Sequence, residues 1–166
     1  MIETATILIG ANSEIAKSCA DVYLNEHSTK IIISRNVSYY KKPQFKQFML
    51  IKVDSYTEQN IIKACETIRD RITSNTLINK VITFHGLLHD DSIQPEKRIE
   101  DFNVDHFLDV IHVNTLTPLL WLKHLLPIIV HKHECKFVVF SARVGSISDD
   151  KTGGWYSYRS SKSELN

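Results

Sequence analysis

Residues 5–16, ATILIGANSEIA, change their hydrophobic period at Gly10. Ala5 to Ile9 is a short, β-branched apolar run, which suits a strand buried on both faces of a parallel sheet. Beyond the glycine, apolar residues recur at Ile15, Ala16, Cys19, Ala20 and Tyr23. That spacing marks one face of a helix, and Asn12 and Ser13 are its cap candidates. A buried strand, a glycine turn and an amphipathic helix form the first half of a β-α-β unit.

The alternation continues downstream. Lys30 to Ser34 predicts a second strand, Phe48 to Val53 a third, Lys80 to Phe84 a fourth and Lys136 to Phe140 a fifth. Ile61, Ile62, Cys65, Ile68 and Ile72 predict one long helix, and a second runs from Phe107 to about Leu126. The polar segment around Pro43 is too short and broken for a helix. Parallel neighbours require crossover connections, so the pattern predicts an α/β fold, a doubly wound parallel sheet with helices on both faces. Residues 1–166 read as one domain without repeats or linkers.

Composition narrows the function. The chain has 166 residues, 43% hydrophobic and 23% charged, with a net charge of +1. Without a concentrated basic face it has no footprint for nucleic acid or an anionic membrane. Cys19, Cys65 and Cys135 leave an odd thiol, which points to a reducing compartment. No signal peptide is legible, and the tract from Leu116 to Val130 falls short of a membrane span. A cytoplasmic protein is expected. His131, His133 and Cys135 alternate along one segment but offer no fourth ligand, so no metal site is expected.

In such sheets ligands sit beyond the carboxyl ends of the strands. After strand one, the turn of Gly10, Asn12, Ser13, Glu14 and Ile15 offers N–H groups and a helix dipole to a diphosphate, although the G-x-G-x-x-G fingerprint is absent. After strand two, Ser34 and Arg35 stand where the adenosine ribose is read. A guanidinium there pairs with a 2′-phosphate, which favours NADP over NAD. Asp54, after strand three, is placed to accept from the adenine amino group.

Tyr158 and Lys162 lie four residues apart in YSYRSSK and share a helix face. An ammonium about 4 Å from a phenol, at an effective dielectric near 20, favours the phenolate by roughly 4 kcal/mol, or about three pKa units. The phenol is therefore expected near 7, where proton transfer is efficient. Tyr156 lies about 240° round the helix from Lys162 and faces elsewhere.

Taken together, ILIGANSEIA, ISRN, VD, FHGLLHD, VNTLTP and FSARVGSISDDKTGGWYSYRSSKSELN resemble the short-chain dehydrogenase/reductase family, and within it the C-factor-like carbonyl reductases. The resemblance covers the whole chain. It implies a Rossmann-like fold, a small carbonyl or alcohol substrate, and hydride exchange with a nicotinamide, with Tyr158 as proton donor. Lys162 would lower the tyrosine pKa and hold the nicotinamide ribose. Asn114 matches the helix asparagine whose backbone carbonyl positions a water, and Gly86 matches the last residue of the family's N-N-A-G motif.

Several positions depart from the family pattern. Thr83, Phe84 and His85 replace the rest of the N-N-A-G motif, while Glu14 and Ala16 replace two glycines of the first turn. Ala142 stands where the catalytic serine is expected, and Ser146, in the loop beside it, is preferred over Ser141 as its substitute. The chain ends one turn past Lys162, so the sixth strand of the family's sheet is expected to be missing. The resemblance further implies a homodimer or homotetramer, with Leu119, Leu122, Leu125 and Leu126 as interface candidates. A non-catalytic dinucleotide-binding or interaction protein is the alternative.

Overall fold

A computed structural model describes residues 3–129, 133–148 and 153–166. His131 of the His-Cys segment and Val130 at the end of the apolar tract lie outside the described residues. Five strands, β1 (Glu3–Ile9), β2 (Thr29–Ser34), β3 (Met49–Lys52), β4 (Thr76–Thr83) and β5 (Lys136–Val139), form one sheet in the order β3-β2-β1-β4-β5. β1 pairs in parallel with both β2 and β4, and β2 with β3. This is the doubly wound arrangement that the alternating pattern predicts. The helices are α1 (Glu14–Val22), α2 (Glu58–Arg71), α3 (Val104–Ile111), α4 (Thr117–Leu125) and α5 (Tyr156–Ser163). The chain divides into two compact units, Met1–Phe84 with Leu120–Val138, and His85–Leu119 with Val139–Asn166.

The first unit holds the core, and strand alternation sorts its side chains. Ile7, Ile9, Ile31, Ile33 and Val81 point to one face, where Ile61, Ala64 and Ile68 of α2 and Trp121 and Leu125 of α4 cover them. Leu8, Ile32 and Ile82 point to the other and meet Ala16 and Ala20 of α1 with Tyr40, Phe45 and Phe48. Fully burying one such aliphatic side chain contributes about 1.5–3 kcal/mol. Ile15, expected on the buried face of α1, is instead 62% exposed. Ala16 is the first buried position of that helix.

At three places the elements add detail to the sequence pattern. β4 begins at Thr76, not Lys80. Its register with β1 passes from Ala5↔Ile78 to Thr6↔Lys80, so Asn79 is an extra residue that breaks the alternation a sequence reader needs. Between β2 and β3 stand two short 3-10 turns, Ser38–Lys41 and Pro43–Phe45. Tyr39, Tyr40, Phe45 and Phe48 pack there with neighbouring ring centroids 5.2–5.4 Å apart, so burial fixes a segment whose local propensity specifies little. Third, the long helix runs from α3 to α4 through a π-turn at His112–Leu116.

β5 stands at a sheet edge and alternates exposed with half-buried residues. Val138 and Phe140 remain 39% and 41% exposed. Among the described residues no helix is long and apolar enough to cross a membrane. Cys19, Cys65 and Cys135 are free thiols, and burial pushes the Cys65 thiol up to about 12.

Candidate active site

In the first unit, β1 ends at a turn that only glycine takes readily. Gly10 has φ +72°, in the left-handed region. Its N–H donates to Ile33 O at 2.9 Å, and the Asn12 N–H returns to Gly10 O at 2.9 Å. Ser13 then caps α1, its hydroxyl accepting the Ala16 N–H at 3.2 Å, so that side chain is committed to the helix. By helix geometry the Glu14 and Ile15 N–H groups lack intrahelical partners. The carboxylate that replaces a glycine here turns away: Glu14 pairs with Lys17 at 2.6 Å and stays 87% exposed. Beneath the turn, the buried Tyr40 hydroxyl donates to Ala11 O at 2.7 Å. Sequence reading missed Tyr40, since nothing in the Tyr39-Tyr40 pair distinguishes a buttress from a surface aromatic.

The candidates after β2 separate. Ser34 is 1% exposed, and its hydroxyl accepts the Asn36 N–H at 3.3 Å and bonds Tyr56. Its side chain is thus held within the sheet, beside the exposed Arg35. Arg35 is exposed, with its guanidinium carbon 5.7 Å from the centre of the Tyr56 ring. Burial pushes the Tyr56 phenol up, and the adjacent Arg35 opposes that shift. Asp54 is exposed beyond β3 and lines a cavity of about 200 Å³ with Asn60, Lys63 and Thr67 of α2.

In the second unit, Asn114 is fully buried inside the π-turn of the long helix. π-turns concentrate at functional sites because they disturb the regular backbone bonding. Its side-chain oxygen accepts the Leu87 N–H at 2.6 Å; its amide donates to Leu87 O and to the Ser161 hydroxyl, both at 2.9 Å. The neighbouring Thr115 hydroxyl donates to Ser161 O at 2.9 Å. Gly86, just before Leu87, is exposed, and a Cβ built there meets nothing within 4 Å. No internal packing demands a glycine at that position.

α5 carries the expected pair on one face. Tyr158 is half-buried and Lys162 is 2% exposed, with Nζ 5.7 Å from the centre of the phenol ring and donating to Phe140 O at 2.9 Å. The expected low phenol pKa is not found in this chain. Burial pushes Tyr158 above its ordinary value and pulls Lys162 below its own. The Lys162 ammonium donates to Phe140 O, and desolvation is what moves both groups.

Ser146 is not brought to Tyr158. It lines a cavity of about 220 Å³ with Arg159, Ser160 and Ser163, and its hydroxyl meets that of Ser148 at 3.2 Å. Those α5 residues lie on the helix face opposite Tyr158, Ser161 and Lys162. Ser141 reaches the end of the same helix, donating to Lys162 O at 3.3 Å and Asn166 Oδ1 at 3.0 Å. Among the described residues no group of three His, Cys, Asp or Glu side chains is arranged to hold a metal.

Comparison with known proteins gives this geometry a context. Residues 4–166 match the family model for short chain dehydrogenase. The fold is similar to that of the carbonyl reductase Sniffer of Drosophila melanogaster, at 20% identity and a TM-score of 0.82, over 99% of this chain and 71% of that one. A Burkholderia multivorans short-chain dehydrogenase/reductase solved with bound NADP matches at 19% identity and a TM-score of 0.77, over 100% and 70% of the two chains. A short chain dehydrogenase from Shigella flexneri matches at 21% identity and a TM-score of 0.78, over 98% and 63%. A search of curated protein sequences finds no match.

Proposed function

The chain belongs to the short-chain dehydrogenase family, and from that premise we propose that it is an NADP(H)-dependent oxidoreductase interconverting a small carbonyl compound and its alcohol. The observation that carries the proposal is the Tyr158–Lys162 pair on one face of α5, with the helix tied to the buried Asn114 through Ser161. The family uses NAD or NADP, and this chain's residues fit such a group. Gly10 takes the left-handed turn, the N-terminus of α1 opens with unpaired N–H groups, and Glu14 is drawn off by Lys17. Arg35 is exposed where a 2′-phosphate would need a guanidinium. Gly86 leaves open space for a ligand's close approach.

When bound, the reduced nicotinamide supplies a hydride. The Tyr158 hydroxyl gives its proton to the carbonyl oxygen, so that the product leaves as an alcohol and the phenol is reprotonated from solvent. Lys162 holds the nicotinamide ribose and favours the phenolate when its ammonium turns from Phe140. Asn114 fixes Leu87 and Ser161 and leaves its backbone carbonyl to hold a water of the proton relay. Asn12, Ser13 and Ile15 border the diphosphate, and Asp54 contacts the adenine. Residues 1–166 act as one dinucleotide-binding domain of a cytoplasmic homo-oligomer.

The raised Tyr158 pKa and the alanine at 142 favour a second reading, a protein that binds the dinucleotide without turning it over. One experiment decides between them: carbonyl-dependent NADPH oxidation with a panel of small aldehydes and ketones. Tyr158→Phe should lower turnover by at least about 100-fold, the scale of general acid catalysis, with NADPH affinity within about twofold. Turnover unchanged in Tyr158→Phe overturns the assignment, and NADPH binding without any turnover supports the second reading.

A further inference from the structure

α5 carries Tyr158 and Lys162 yet lacks a cap of its own. Its N-cap residue, Trp155, has φ 54° and makes no side-chain cap bond. Trp155 is the last of three successive residues in the left-handed region, after Gly153 at φ 62° and Gly154 at φ 70°. A helix start leaves its first N–H groups unsatisfied, and a bulky residue at positive φ persists only where its surroundings hold it.

One distant residue meets both needs. Glu96 is 5% exposed, and its carboxylate accepts the Ser157 N–H at 3.3 and 3.4 Å and also the Ser157 hydroxyl. Its backbone carbonyl accepts the Trp155 N–H at 2.7 Å, and a Cβ at Gly154 would stand 3.0 Å from that same oxygen. Glu96 is itself anchored. Asp101 accepts the Lys97 and Arg98 N–H groups at 3.2 and 3.1 Å, and Asp90 accepts those of Ser92 and Ile93 at 2.8 Å. Glu96, Ser157 and Tyr158 also line one small cavity of about 10 Å³.

We infer that Glu96 is a positioning residue for Tyr158, supplying from another segment the cap that α5 lacks. Its carboxylate fixes the first turn, at Ser157, while Asn114 and Thr115 fix the second, at Ser161; Tyr158 is held between them. A carboxylate at a helix N-terminus also complements the helix dipole. Glu96 acts through Ser157 and does not touch substrate. The inference rests on Tyr158 being the proton donor, and it adds what sets the place of that donor.

The test pairs amide hydrogen exchange with NADPH-dependent carbonyl reduction in Glu96→Ala, Glu96→Gln and Ser157→Ala. Glu96→Ala should speed exchange at Ser157 to Ser161 by about tenfold, the scale of a lost cap, leaving the β1 amides unchanged. It should also lower kcat by about 10- to 100-fold with KM for the carbonyl within about twofold. Glu96→Gln keeps an acceptor for the Ser157 N–H and should restore most of both. Should Glu96→Ala fail to fold, Ser157→Ala, which keeps the backbone bond, should show the same two changes at smaller size. Unchanged exchange overturns the inference, as does faster exchange without a kcat loss in a protein whose Tyr158→Phe variant is inactive. Turnover that survives Tyr158→Phe overturns the reading of Tyr158 instead, and exchange still decides the cap.

Discussion

Tyr158 and Lys162 illustrate how burial and charge compete at a single pair of side chains. Spacing places them on one face of a helix, but only packing sets the distance from ammonium to ring at 5.7 Å and lets the ammonium donate to Phe140 O. Desolvation then moves each pKa toward its neutral form, opposite to the direction a bare pair would take for the phenol. Gly145 matters to the same pair for a steric reason. A Cβ there would lie 2.7 Å from the Lys162 carbonyl carbon and 2.8 Å from its Cβ, contacts that no side-chain rotation relieves. Gly145→Ala is expected to destabilise the fold by about 2 kcal/mol, as overpacking does. Urea denaturation measures it, and an unchanged midpoint would contradict the close approach.

At the scale of elements, the strand-turn-helix from Glu3 to Val22 was legible because its period changes at one glycine. β4 was half legible, since its bulge at Asn79 hides the first four residues from an alternation test. The aromatic segment between β2 and β3 was not legible at all as structure, because long-range packing of Tyr40, Phe45 and Phe48 determines it rather than local propensity. Candidate site residues divide the same way. Gly10, Arg35, Tyr158 and Lys162 announce themselves by position, whereas Tyr40 and Glu96 act through contacts with residues 29 and 61 positions away. The first gives a direct prediction: Tyr40→Phe leaves Ala11 O without its buried donor. It should cost about 1 kcal/mol of stability, read by thermal denaturation, and weaken NADPH binding through a looser turn. A variant as stable as the parent would show that the bond to Ala11 does not hold the turn.

For the molecule as a whole, we propose that a short-chain dehydrogenase scaffold here serves NADP rather than NAD. Family membership supports a nicotinamide dinucleotide and leaves the choice open. In this proposal the choice turns on Arg35, exposed after β2 with its guanidinium beside the Tyr56 ring, where a carboxylate would instead read a free ribose. Calorimetric titration with NADPH and NADH, on the parent chain and on Arg35→Ala, is the most direct test. NADPH should bind at least about tenfold more tightly than NADH, and Arg35→Ala should erase that preference while leaving NADH affinity within about twofold. Equal affinity for the two, or a preference that survives in Arg35→Ala, would show that Arg35 does not read a 2′-phosphate.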